Sequence, residues 1–96
     1  MKVRINVEQS DINKGVCGDP GSCAIALSLI RKYKRRKGFE GVHVDVGQAS
    51  VYFNMDDMQL TLPTKADRFI RNFDVSDLRK DRKALKPFSF YATVVD

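Results

Sequence analysis

The stretch VHVDVGQASVYFNMDDMQLTL, residues 42–62, decides the fold because it carries the alternation of apolar and polar residues that is typical of β-strands. VHVDV at 42–46 places its valines on one face of a first strand. We expect a turn at Gly47-Gln48, a strand at 50–55, an acidic turn at 54–57 and a strand at 58–62, which Pro63 ends. This stretch therefore predicts consecutive antiparallel strands.

Strand patterns also open and close the chain. Residues 1–7, MKVRINV, alternate apolar and polar side chains, and FSFYATVV at 88–95 predicts a closing strand. Between the first strand and the first long helix, residues 10–15 have the composition of a single helical turn that Gly15 ends.

The first long helix is predicted between Asp19 and Gly38. The Asp19 carboxylate is suited to N-capping, and Pro20 then takes the first helical position, where its missing N–H costs nothing. Apolar residues from Cys23 to Ile30 predict that the first half of the helix is buried nearly all round. Basic residues fill the last turns, where cations complement the helix dipole, and Gly38 is expected to stop the helix.

The second long helix is predicted to open at Thr64, with Asp67 forming an acidic variant of the capping box. Its core stripe recurs at helical spacing and consists of Ala66, Phe69, Ile70 and Phe73. Residues 77–86 predict a short helix or an ordered loop. We therefore predict an α+β fold, a mostly antiparallel sheet of about five strands backed by two main helices, in the order β-α-β-β-β-α-β.

Length and composition predict one compact domain over residues 1–96, with no linker or repeat. The chain is 43% hydrophobic, but no stretch approaches the roughly 20 apolar residues that a membrane helix needs. The N-terminus lacks the apolar core of a signal peptide, so we expect a cytoplasmic protein and no membrane partner. Unpaired sheet edges in so short a chain also make a homo-oligomer an open alternative.

The charge of the chain favours anionic partners, since the net charge is +5 and the pI about 9.4. The basic residues concentrate in RKYKRRK at 31–37 and in RKDRK at 79–83. Side chains at this density can neutralise several phosphates, and a tyrosine among them can stack on a base. The candidate ligand-binding residues are Arg31, Lys32, Lys34, Arg35, Arg36 and Lys37, with Tyr33 for stacking and Arg79, Lys80, Arg82 and Lys83 in support. The alternative is a solvated helix end that keeps the protein in solution.

The two cysteines favour packing over chemistry. A zinc site needs about four ligands, and His43 is the one further soft candidate, so we expect no metal and no cofactor. Cys23 at a helix start has the position of an activated thiol, but nothing places His43 beside it as a base. We expect Cys23 to be a small buried hydrophobe and Cys17 to be the exposed thiol.

The loop GDPGSC at 18–23 has the glycines of a phosphate-binding loop but not the lysine and second glycine of a Walker motif. Asp19 would occupy the site that a phosphate uses. Anion binding at this loop is therefore a minor alternative.

The order of several short segments resembles small uncharacterised proteins encoded by bacteriophages, and the resemblance extends over nearly the whole length: VEQSDINKGV (7–16), CAIALSLIRK (23–32), the valine-rich hairpins, LPTKADRFIRNFD (62–74) and KPFSF (86–90). Ala24 stands where these proteins have a proline after the cysteine. The resemblance implies a phage or prophage setting and brings no catalytic residue. It also implies action by binding, to host machinery, to nucleic acid or to nucleotide signals of host immunity.

Three functions follow, in order of preference. The first is a non-enzymatic protein whose basic surface binds a phosphate-rich ligand, nucleic acid or nucleotide, in host takeover or anti-defence. The second is an inhibitor that binds a host enzyme, in which Asp56-Asp57 or a hairpin carries the contact. An enzyme that depends on Cys23 comes last, because a single histidine and no paired carboxylates leave little acid–base chemistry.

Overall fold

The computed structural model describes residues 1–54, 56–74 and 85–95. In chain order its elements are β1 (Lys2–Val7), α1 (Gln9–Lys14), α2 (Ala24–Tyr33), β2 (Phe39–Asp45), β3 (Gln48–Phe53), β4 (Asp57–Thr61), α3 (Thr64–Asp74) and β5 (Phe88–Val95). Within these ranges no helix has the length and apolar character needed to cross a membrane. The helix or loop predicted at 77–86 falls mainly outside the described residues.

The strands form one five-stranded sheet in the order β1-β5-β4-β3-β2, and every neighbouring pair is antiparallel. The predicted α+β class with a mostly antiparallel sheet is confirmed. Strands β2, β3 and β4 are successive neighbours, as the alternation at 42–62 predicts. The first turn is displaced by one residue, because Asp45 pairs with Gln48 and leaves Val46-Gly47 as the two-residue connection. Gly47 adopts the positive φ of 88° that such a tight connection requires.

The core lies between one face of the sheet and the helices. Alternate residues of the strands are buried there, among them Ile5, Val7, Val42, Val44, Val51, Leu60, Phe90 and Ala92. The stripe predicted on α3 is confirmed, since Ala66, Phe69 and Phe73 are buried and Ile70 packs against them. Val46 departs from the pattern: it was expected to face inward with the other valines of its strand but is 54% exposed in the turn.

Helix α2 is shorter at both ends than predicted. It begins at Ala24 with Cys23 as the N-cap residue and ends at Tyr33 with Lys34 as the C-cap. The Asp19 carbonyl instead accepts from the Cys23 N–H (2.9 Å), and the Asp19 carboxylate accepts from the Gly21 N–H (2.9 Å). These bonds close a tight turn before the helix, so the prediction that Asp19 caps α2 was wrong.

The turn before α2 lies on the free edge of the sheet. The Pro20 carbonyl accepts a hydrogen bond from the Val44 N–H at 2.9 Å. Because β2 is an edge strand, this bond satisfies a backbone group that the sheet leaves unpaired. The residues that were expected to start the helix therefore cover part of the β2 edge.

The first turn of α3 is also built differently from the prediction. The Pro63 carbonyl accepts from the Ala66 and Asp67 N–H groups, and the Asp67 carboxylate accepts from the Gly47 N–H at 2.7 Å. Asp67 thus joins α3 to the β2–β3 turn rather than serving a capping box.

Candidate functional site

Most of the basic segment at 31–37 lies in a loop rather than on a helix. Helix α2 ends at Tyr33, so the run from Lys34 to Lys37, which we call the basic loop, connects α2 to β2. The Lys34 N–H donates to the Ile30 carbonyl (2.8 Å) and the Arg36 N–H to the Tyr33 carbonyl (2.9 Å). The first bond is the last of helix α2 and the second closes a turn after it, so the cations from Lys34 to Lys37 do not continue around a helix.

Gly38 anchors the far end of the basic loop. Its φ of 83° is one that side chains rarely adopt, and its carbonyl accepts from the Asn54 N–H at 2.8 Å. The adjacent Phe39 pairs with Phe53 across β2 and β3. The loop is therefore tied to the end of β3, where the next turn of the chain begins.

Arg31 is held by the protein itself. Its Nη1 lies 2.6 Å from Asp11 Oδ1, and its Nη2 lies 3.1 Å from Glu8 Oε2. Nη2 also donates to the Asn6 carbonyl at the edge of β1 (2.7 Å). The hydrogen bond to Asp11, with the charges of both carboxylates, raises the pKa of Arg31 above its ordinary value. Arg31 therefore joins α2 to α1 and β1, and we leave it out of the candidate surface.

Tyr33, the predicted stacking residue, points into the core. Only 6% of it is exposed, and its ring lies edge-on to Phe53 with the centroids 6.4 Å apart. Burial raises the pKa of its hydroxyl. A base that stacks on an aromatic ring of this protein must therefore use another ring.

The remaining cations of the segment are exposed. They are Lys32 at the end of α2 and the basic-loop residues Lys34, Arg35, Arg36 and Lys37. The ion pairs among the described residues involve Arg31 and His43, so no described carboxylate neutralises these five side chains. Their positive charge is available to a ligand.

Arg36 has a defined position within the basic loop. Its guanidinium carbon lies 4.8 Å from the centroid of the Phe53 ring, a cation–π contact. The contact holds the side chain against the end of β3, and Arg36 as a whole remains exposed. Ordering the Arg36 side chain on a ligand therefore costs less conformational entropy than ordering a freely rotating lysine.

A cleft of about 960 Å³ opens beside the basic loop. Its lining includes two cations of the basic loop, Arg36 and Lys37, and two carboxylates at the start of β4, Asp56 and Asp57. Phe53, Met58 and Val94 supply apolar surface, and Met1 and Val95 complete the end where β1 meets β5. Sequence reasoning did not find this cleft, because its sides come from segments far apart in the chain.

The second basic cluster, Arg79, Lys80, Arg82 and Lys83, lies outside the described residues. A basic groove that the sequence analysis did not single out lies beside α3, with a volume of about 380 Å³. It is lined by Lys65, Arg68 and Lys86 together with Phe88, and the Lys65 ammonium donates to the Ser89 carbonyl at 3.0 Å. The spacing of Lys65 and Arg68 on one face of α3 is the signal that would have found it.

Both cysteines are packed within the fold, Cys23 fully and Cys17 in part. Cys23 is buried, and burial raises the pKa of its thiol, as the prediction of a small buried hydrophobe implies. An activated thiol requires the opposite shift. Cys17 was expected to be exposed but is half-buried, with its Sγ 3.0 Å from the Phe73 carbonyl oxygen. No disulfide joins these two residues.

His43 is not positioned to act as a base for Cys23. It lies on the exposed face of β2, where its Nε2 is 3.0 Å from Asp45 Oδ2, while the neighbouring Val42 and Val44 face the core that contains Cys23. In the described part of the chain, no group of His, Cys, Asp and Glu side chains is arranged to hold a metal ion.

The loop at 18–23 does not offer its amides to an anion. The Gly21 N–H donates to the Asp19 carboxylate, and the Gly18 N–H donates to the Asp74 carboxylate at 3.1 Å. The Gly21 hydrogen bond lowers the pKa of Asp19, so this carboxyl stays ionised. Together with Asp45, these carboxylates line a small cleft of about 270 Å³. Phosphate binding at this loop is therefore excluded by charge.

No family model, no curated protein and no solved structure matches this chain.

Proposed function

We propose that this protein is a non-enzymatic binding protein whose basic loop, with Lys32, holds the phosphate groups of a nucleic acid or nucleotide. The observation that carries the proposal is the set of five exposed cations without a carboxylate partner among the described residues. Arg31, the one cation of the segment with acidic partners, links elements of the fold. The remaining cations form no ion pair with a described carboxylate, although Arg36 and Lys32 lie over the rings of Phe53 and Tyr33.

The physical basis of binding is electrostatic. Exposed cations gathered on one short loop attract the phosphates of a polyanion, and each phosphate they neutralise releases condensed counterions. The net charge of +5 gives the whole molecule the same preference. Affinity should therefore fall steeply as salt is added.

The setting of this activity rests on the resemblance to small phage proteins. In such a setting the protein acts in the host cytoplasm, during host takeover or anti-defence, on ligands that are rich in phosphate. Fold and origin do not establish function, so binding itself is the claim to test first.

A protein partner is the second candidate, and the cleft beside the basic loop favours it. Its lining combines the cations Arg36 and Lys37 and the carboxylates Asp56 and Asp57 with apolar surface, and such a mixture of polar rim and apolar area is typical of a protein–protein contact. Such a complex would respond less to salt than a phosphate complex does, because apolar burial contributes part of its affinity and is not screened by salt.

The test compares two variants with the same change in charge. Arg35→Gln/Lys37→Gln removes two cations of the basic loop, and Lys14→Gln/Arg71→Gln removes two exposed cations elsewhere. Lys14 precedes Gly15, which lies beside the N–H of Ala24 at the start of α2. The basic loop lies at the other end of α2. An α-helix of ten residues separates these places by about 15 Å.

The measurement is fluorescence anisotropy at low salt with fluorescein-labelled dT12, a labelled hairpin duplex and labelled ATP. We expect wild type and the Lys14/Arg71 variant to bind at least one of these probes equally well, and the loop variant to bind it several-fold more weakly. Equal binding by both variants would refute the proposal. Absence of any binding by wild type would refute it as well, and a salt-insensitive complex with a host protein would then favour the second candidate.

A further inference from the structure

The sheet has one face that the helices do not cover, and its β1–β5 half carries a tyrosine among cations. Lys2 and Arg4 of β1 and Tyr91 and Thr93 of β5 are exposed, and 58% of Tyr91 is accessible. Register places Arg4 directly opposite Tyr91 and Lys2 opposite Thr93. An aromatic ring and two cations thus lie side by side on the open face, and we call Lys2, Arg4 and Tyr91 the open-face patch.

The charge of the open-face patch is not compensated within its strands. Neither β1 nor β5, both described in full, contains Asp or Glu. Arg4 Nη2 donates to the Ser89 hydroxyl at 3.2 Å, which holds the guanidinium along the sheet beside Tyr91. Among the described residues, carboxylates of this face belong to other strands, Asp57 to β4 and Asp45 to β2. A polyanion on this face is therefore directed to the β1–β5 half.

The open-face patch continues the basic loop. The cleft beside the loop reaches Met1 and Val95, and the Met1 carbonyl accepts from the Val94 N–H at 2.7 Å. Met1 is followed at once by Lys2, and a strand advances by about 3.3 Å per residue. Arg4 and Tyr91 therefore lie about 10 Å from the end of the cleft, along β1.

The surface that leads from the basic loop to the open-face patch is bent, and its shape discriminates between ligands. It runs from the basic loop around the end of the sheet and onto its open face, and a flexible single strand can follow such a bend. A duplex is stiff, and its bases are stacked inside, where no side chain can lie against their faces. Unpaired bases stack readily on an exposed aromatic ring while neighbouring phosphates meet cations.

We propose that the open-face patch binds single-stranded nucleic acid, with one base stacked on Tyr91 and phosphates on Lys2, Arg4 and the basic loop. The inference rests on the proposed function and names its ligand class. Tyr91 takes the stacking role that the sequence analysis gave to Tyr33. On its way from the loop to the patch the nucleic-acid strand passes Asp56 and Asp57, which line the same cleft, whereas Asp45 on β2 takes no part.

The test uses Tyr91→Ala, with Tyr91→Phe and Gln48→Ala as controls. Gln48 is exposed on the same face, but on β3. With fluorescein-labelled dT12, we expect Tyr91→Ala to weaken binding by about 5- to 150-fold, the range for loss of one stacked base. Tyr91→Phe keeps the ring and should bind as wild type does, and Gln48→Ala should also leave binding unchanged.

Tyrosine emission supplies an independent readout, since the chain has three tyrosines and no tryptophan. Stacking of a base on Tyr91 should quench part of this emission when unlabelled dT12 binds. In Tyr91→Phe the quenching should be lost although dT12 still binds. If Tyr91 had only a structural role, Tyr91→Phe would not abolish the quenching of tyrosine emission while leaving dT12 binding intact.

The outcomes distinguish this inference from the proposed function. If the loop variant weakens dT12 binding and Tyr91→Ala does not, the open-face patch is refuted and the basic loop stands. Binding of the hairpin duplex as tightly as dT12 would also refute the single-strand inference alone. If wild type binds neither dT12, duplex nor ATP, both proposals fall.

Discussion

Arg31→Gln is expected to destabilise the fold strongly, which separates Arg31 from its basic neighbours. The variant leaves the Asp11 carboxylate, only 4% exposed, without the cation that lies 2.6 Å away. Breaking one partner of a buried ion pair costs about 3–5 kcal/mol. Arg31 is itself 37% exposed and its charge is screened by solvent, so we reduce this cost to about 2–3 kcal/mol.

The assay is unfolding of Arg31→Gln and of Arg35→Gln by urea and, in parallel, by heat, both monitored by far-UV circular dichroism. A loss of about 2–3 kcal/mol corresponds to a melting temperature lower by about 10–15 °C in a domain of this size. Arg35→Gln removes the same charge from the basic loop and should change stability by less than about 0.5 kcal/mol. Equal unfolding midpoints for the two variants would refute the structural assignment of Arg31.

A double-mutant cycle with Asp11→Asn isolates the contact between the two side chains. The amide introduced by Asp11→Asn keeps an oxygen for the Glu8 N–H, which donates to Asp11 Oδ2 at 2.8 Å in the native protein. We expect Arg31→Gln to cost much less in the Asp11→Asn background, because no buried charge is then left unpaired. Additive effects would show that the two side chains are not coupled.

Three further predictions concern the core and the loop anchor. Phe73→Ala removes a side chain that is 1% exposed and should cost about 3–5 kcal/mol in urea unfolding. Gly38→Ala should cost more than Gly18→Ala, although both have positive φ, because the new Cβ meets the Asn54 side chain only at Gly38; equal unfolding midpoints would contradict this. Cys23 has a raised pKa in the folded state, so its contribution to stability is fully present below the ordinary thiol pKa of about 8.5 and is lost as pH rises through the higher folded value. The alkaline loss of stability should therefore be smaller in Cys23→Ala, and identical pH profiles would refute this.

Local periodicity predicted the sheet and α3 correctly because both are amphipathic along their whole length. The alternation in FSFYATVV already separates Phe90 and Ala92, which are buried, from Tyr91 and Thr93, which are exposed. The same pattern therefore contained the signal for an exposed tyrosine. The sequence does not place basic residues beside Tyr91, because those residues belong to β1, at the other end of the chain.

Both ends of α2 were predicted wrongly, because contacts between residues distant in sequence determine where the helix begins and ends. Asp19-Pro20 has the composition of a helix start, but the Pro20 carbonyl is taken by Val44 of the sheet edge. At the other end, the chain must turn so that Phe39 can pair with Phe53, and Gly38 adopts the required φ of 83°. Helix propensity alone predicts neither the Pro20–Val44 hydrogen bond nor the pairing of Phe39 with Phe53.

The candidate site was visible in sequence as a run of charge but not as an arrangement. Arg31 and Arg35 are chemically alike, and only the fold shows that Arg31 meets Asp11, twenty residues earlier. The burial of Tyr33 against Phe53 is likewise a tertiary fact. Charge density thus identified the segment, and the packing of the chain decided which of its members are exposed to a ligand.

The central claim, that the basic loop neutralises phosphates, is tested most directly by the salt dependence of dT12 binding. Each phosphate contact on a single strand contributes about 0.7 to the slope of log K against log salt concentration. We predict that Arg35→Gln/Lys37→Gln makes this slope shallower by about 1.4, while Lys14→Gln/Arg71→Gln leaves it as in wild type. The same slope in all three proteins would contradict the account.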